Sequence, residues 1–163
     1  MMIPRANKIA LTLIPALAAF LVLQACGAGG NANAQEADAD PIEGVWESVV
    51  TVRDCSTLTP GVRFAGAQVL HRGGTMSDTN ASPTATRGPG FGTWTRSGAT
   101  YTVQFRFYTY NATAVSGVNR VTRTFTLDPT GRIANSVNTI QSFDLSGALV
   151  NSSCATDVST KVL

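Results

Sequence analysis

The chain has 163 residues, which leaves room for one domain behind an N-terminal export segment. Its formal net charge is +2, and past Cys26 ten bases face ten acids, so the mature protein is close to neutral. Glu36, Asp38, Asp40 and Glu43 cluster ahead of the domain, and the bases of residues 44–163 are dispersed without a Lys/Arg run, which argues against a nucleic-acid partner.

Residues 1–25 read as a lipoprotein signal peptide. Arg5 and Lys8 charge the head, Ile9 to Leu23 is apolar except for Thr12 and Pro15, and small residues follow. Such a run is too short for a comfortable membrane span and has the make-up of an export signal. The exit reads Leu23, Gln24, Ala25, Cys26 and then Gly27, which resembles the lipobox of bacterial lipoproteins. That resemblance implies cleavage before Cys26, acylation of its thiol and usually its amine, and the lipid bilayer as partner. Several acyl chains anchor stably where one does not. Gly27 in place of Asp after the cysteine implies the outer membrane, if the host has one. A competing exit at Ala32, Asn33 and Ala34 has the form ordinary signal peptidase prefers, and would leave a soluble periplasmic or secreted chain beginning at Gln35. Residues 26–43 are small, polar and acidic without apolar periodicity, and are expected to form a disordered tether.

Residues 44–163 form the folded domain, and alternation with turn chemistry places its strands. The first is Val45 to Arg53, with Trp46, Ser48, Val50 and Val52 on one face. After Thr59, Pro60 and Gly61 comes a second strand, Arg63 to His71, and the Arg72-Gly73-Gly74 turn leads to a short third, Thr75 to Thr79. The polar stretch Asn80 to Gly90 is the longest loop. A fourth strand through Gly92 to Thr95 turns at Ser97 and Gly98 into the fifth and cleanest, Thr100 to Tyr110, where Tyr101, Val103, Phe105 and Phe107 alternate with Thr102, Gln104 and Arg106. A sixth runs from Val118 to Leu127, a seventh from Arg132 to Phe143, and an eighth from Ala148 to about Thr156, with turns at Asp128 to Gly131 and Asp144 to Gly147.

No helical period of useful length is present, so the domain is all-β. Eight sequential strands with short connections suggest an antiparallel up-and-down barrel, which removes exposed edges and is expected to be monomeric; a sandwich is the alternative. With Cys26 acylated, Cys55 and Cys154 remain as an even pair in an exported chain, and no His or second Cys lies at metal-ligand spacing around either. A disulfide between them would tie the seam at which the last strand closes on the first.

Gly44, Val45 and Trp46 resemble the G-x-W signature of lipocalins and the wider calycin barrels. The resemblance implies that Trp46 plugs one end of the barrel and that a basic residue near the C-terminus, here Lys161, packs across it. Together GVW, HRGGT at His71 to Thr75, PGFGTW and SCATDVSTK resemble a group of small exported bacterial proteins of calycin-like appearance without an assigned activity. No helix follows the eighth strand, unlike in lipocalins.

No catalytic residue, metal or cofactor is expected from the sequence. His71, the single histidine, sits at a hairpin end, and neither G-x-S-x-G nor zinc spacing occurs. Gly88, Gly90 and Gly92 precede a strand rather than a helix, so they lack the amide cradle of a phosphate loop. On the sixth strand Val121, Phe125 and Leu127 form the apolar face, and strict alternation puts Arg123 among them. Three roles are open for it: a structural pair with an inward polar group, a bulge that turns it outward, or a clamp for a ligand carboxylate with Tyr101 and Phe105 lining the apolar part. The functions that survive are a surface-tethered module binding a small apolar or amphipathic ligand, a cofactor-free barrel isomerase or cyclase resembling allene oxide cyclases, and a structural envelope lipoprotein with a filled core.

Overall fold

Each alternating run of residues 44–163 becomes a strand because one face of it must leave water, and a lone hairpin offers nowhere to bury that face. The computed structural model describes residues 38–81 and 86–163; the signal peptide, Cys26 and the tether as far as residue 37 lie outside the described residues. The strands are β1 (Gly44–Arg53), β2 (Pro60–Leu70), β3 (Thr75–Asn80), β4 (Gly90–Ser97), β5 (Thr100–Tyr110), β6 (Val115–Leu127), β7 (Ile133–Phe143) and β8 (Leu149–Lys161). They close into one antiparallel barrel in sequence order. β1 meets β8 from Trp46 opposite Lys161 to Arg53 opposite Cys154, so the up-and-down barrel forms and the sandwich does not.

β8 runs on to Lys161 instead of stopping near Thr156. Both of its edges are held there, by β7 through Ile133 opposite Thr160 and by β1 through Trp46 opposite Lys161, and paired edges extend a strand past the point where its apolar alternation fades. β2 starts at Pro60, a strand's first position, where the missing N–H is tolerated.

The two ends of the barrel differ. The turns at residues 71–74, 98–99 and 128–132 gather at one end, and the connections after Arg53, Asn80, Tyr110 and Phe143, which include the two longest, gather at the other. The first end is sealed. Tyr101 stacks on Phe125 at 5.6 Å between ring centroids, Trp94 leans on Tyr101 at 6.4 Å, and Trp46, Leu70 and Met76 complete the buried cluster.

The tether boundary shifts here: Asp40 to Glu43 belong to the seal, not to a free linker. Ile42 is fully buried, and its carbonyl accepts the Trp46 Nε1–H at 2.7 Å. The Asp40 carboxylate accepts from the Tyr101 hydroxyl at 2.7 Å, the Ile42 N–H at 3.1 Å and Arg96 Nη1 at 3.1 Å. Lys161 Nζ donates to the Pro41 carbonyl at 2.9 Å. Gly44 is required beside this seal: its φ is +132°, and a Cβ there would lie 2.2 Å from the Leu163 carbonyl oxygen.

Candidate functional site

Alternation that buries apolar side chains also carries inward the polar ones that share their face. Above the sealed base, β6 contributes Arg123, β8 Asp157 and Ser159, β7 Ser136 and Asn138, and β2 Gln68, all buried. An unpaired charge there would be prohibitive, and these two neutralise each other. Arg123 Nη2 donates to Asp157 Oδ1 at 2.7 Å and to Ser159 Oγ at 3.0 Å, Nη1 donates to Gln68 Oε1, and Nε faces Ser136 Oγ at 3.4 Å. The second oxygen of Asp157 accepts from the Ser136 hydroxyl at 2.5 Å and Asn138 Nδ2 at 2.8 Å. Burial pushes the Arg123 guanidinium below its ordinary value against the opposing pull of Asp157.

A second buried pair adjoins the first. Arg87, which precedes β4 and bridges to Thr109 of β5, turns inward and binds Asp78 of β3. Their side chains are 8% and 7% exposed. Arg87 lies over the Phe107 ring with its central carbon 3.9 Å from the centroid, and burial pushes its guanidinium down to about 10. Gln68 joins the pairs, since its Nε2 donates to Asp78 Oδ2 at 3.3 Å while its Oε1 accepts from Arg123. Glycine makes the room: a Cβ at Gly90 would lie 2.9 Å from Asp78 Oδ1, and one at Gly92 would lie 1.9 Å from the Gln104 carbonyl oxygen. Gly90 of PGFGTW thus leaves room for Asp78 and Phe105, and Gly92 lets β4 approach β5 closely.

Between this polar floor and the open end lies a cavity of about 360 Å³. Val50, Val52, Phe64, Phe105, Phe107 and Ile140 give its wall apolar patches between polar groups such as Asn119, Ser142 and Asn151, and Arg87, Asp78, Arg123, Asp157 and Asn138 reach it from below. A larger hollow of about 1090 Å³ lies against the outer surface of β1, β2, β7 and β8, where Val49, Val137 and Val158 are exposed side chains of an open wall. The converging chemistry is inside.

Of the residues singled out from sequence, Arg123 and Phe105 line the cavity. Arg123 takes the arrangement of a structural pair, with its fork engaged by Asp157, Ser159 and Gln68. Tyr101 does not share the cavity: it is at the sealed base, where burial and then its bond to Asp40 raise its hydroxyl to about 12. Trp46 also sits at the base, with Lys161 directly opposite on β8. Cys55 and Cys154 are bonded at the open rim. His71 is exposed, 3.1 Å from Ser77 Oγ. Asp128 serves its turn, accepting from the Thr130 hydroxyl at 2.7 Å and the N–H groups of Arg132 and Ile133 at 2.9 Å. Among the described residues no group of three His, Cys, Asp or Glu is placed to hold a metal.

Sequence reasoning missed Asp157, Asp78 and Arg87. For Asp157 a signal existed, because it alternates with Ala155 and Ser159 just as Arg123 does with Val121 and Phe125. Arg87 gave none, since it lies in a stretch without a strand pattern. No family model, curated protein or solved structure matches the chain.

Proposed function

We propose that the protein is an exported, lipid-anchored barrel that binds one small apolar or amphipathic molecule between its polar floor and its open rim. The observation that carries this reading is the cavity of about 360 Å³, closed on the side of the sealed base and lined by apolar and polar side chains in nearly equal measure, as an amphipathic molecule requires. Its size falls within the roughly 300–1,000 Å³ usual for ligand pockets. Eight strands make a barrel that either fills with side chains or holds one small ligand, and inward Gly66 removes filling where it was needed for the first outcome. Anchoring rests on Leu23 to Cys26, and export also on the Cys55–Cys154 bond, which suits an oxidising compartment. The calycin resemblance agrees with Trp46 at the sealed base.

A second reading is a cofactor-free isomerase or cyclase, favoured by the convergence of Arg87, Asp78, Arg123 and Asp157 on one cavity. A filled structural core is the weakest, because of the cavity.

Native mass spectrometry of protein taken from the host's membrane fraction tests the proposal. The expected result is a chain beginning at Cys26 with acyl groups attached, carrying one small molecule that leaves on activation. A soluble chain beginning at Gln35 overturns the anchor. Ligand-free protein that also takes up no apolar dye overturns binding. A retained molecule recovered chemically altered after incubation turns the case toward the enzyme.

A further inference from the structure

Resting on the binding reading above, we propose that Arg87 is the recognition group of the cavity and selects an uncharged hydrogen-bond acceptor, such as a ketone, ester or amide carbonyl, over a carboxylate. The two arginines of the cavity are not equivalent. Arg123 has Nε, Nη1 and Nη2 all facing acceptors on β2, β7 and β8, which makes it a strut across the barrel. Arg87 binds Asp78 through Nη2 alone, and its Nε is buried with no acceptor among the described residues. A buried N–H left without an acceptor is costly, and Nε is enclosed as the side chain stands, so a small rotation of Arg87 that turns it to a ligand oxygen in the cavity gains more than a bond at the surface would.

Charge decides which oxygen fits. Asp78 balances Arg87, Asp157 balances Arg123, and Gln68 joins the two pairs into one network without net charge. A carboxylate would be a third anion beside two cations, in a space where charges interact more strongly than in water. A carbonyl accepts the Arg87 Nε–H without that repulsion. Phe107 beneath the guanidinium and Phe105 beside Asp78 give the rest of the ligand an apolar, aromatic-sized berth.

The test uses the folded mature protein and three fluorescent naphthalene probes that differ in one substituent: a propionyl ketone, a carboxylate and a propyl chain. Wild type should bind the ketone roughly tenfold more tightly than either other probe. Arg87→Lys keeps a cation for Asp78 but removes the N–H at the Nε position, and should lose the preference of ketone over propyl. Asp78→Asn leaves the cavity one net positive charge and should shift preference toward the carboxylate, which a merely structural pair would not do. Circular dichroism and the Cys55–Cys154 bond check that each variant is folded. If wild type binds carboxylate as tightly as ketone, or if Arg87→Lys keeps the full ketone preference, the inference is overturned while the binding reading stands. If the folded wild type binds none of the three, the binding reading falls as well.

Discussion

At the scale of single residues, the costliest feature of the fold is the ion pair of Arg123 and Asp157, whose side chains are 4% and 2% exposed. Removing one partner leaves the other charged and enclosed, whereas removing both can be nearly neutral if the space is refilled. Arg123→Met should therefore lose about 3–5 kcal/mol of stability in urea denaturation. Arg123→Met combined with Asp157→Leu should recover most of it. A double variant as unstable as the single one would locate the loss in packing instead of charge. The inward direction of Arg123 was legible because alternation on β6 is strict, and that of Asp157 by the same alternation on β8; that the two meet was not, because it depends on the registers of β6 with β7 and of β7 with β8, which no local pattern contains.

At the scale of elements, the base seal shows a segment that periodicity could not find. Asp38 to Glu43 holds one apolar anchor, Ile42, in an acidic stretch, and one anchor has no period. Its attachment is electrostatic in part, so it should respond to pH. Burial alone would raise the Asp40 carboxyl, but the Ile42 N–H, the Tyr101 hydroxyl and Arg96 together hold it below its ordinary 3.8. A depressed carboxyl contributes stability above its unfolded value and loses it as pH falls through the folded one. Tyr101 is the reverse, raised to about 12, so its contribution is complete below about 10 and lost as pH climbs toward 12. Tyr101→Phe should accordingly be less stable than wild type by about 0.5–1.5 kcal/mol at neutral pH. The difference between the two should narrow below pH 3.8 and again above about pH 10. A gap that stays constant from pH 3 to pH 11 would mean that the hydroxyl contributes through shape and not through Asp40.

At the scale of the molecule, seven of the eight strand pairings join neighbours in sequence, and the eighth, β1 with β8, joins the two ends of the domain. That seam is the contact whose ordering is entropically hardest, because closing it organises almost the whole domain. It was legible from the positions of Cys55 and Cys154, which closure of the barrel brings side by side; the cavity was not, since it depends on how far side chains such as Phe105 reach into the space left by Gly90. The disulfide spans 99 residues of sequence. In the chain-entropy picture a crosslink of that span is worth roughly 4.7 kcal/mol, and native bonds of this kind are commonly worth about 2–5. Reduction should therefore lower stability within that range, and it should do so unevenly. Hydrogen exchange on the reduced protein should show amides of the β1–β8 pairing losing protection before those of β5–β6, whose hairpin has its own short turn and the aromatic stack of Tyr101 on Phe125. Uniform loss across the barrel would mean that the strands open as one unit and that the bond stabilises the whole sheet without a preference for its seam.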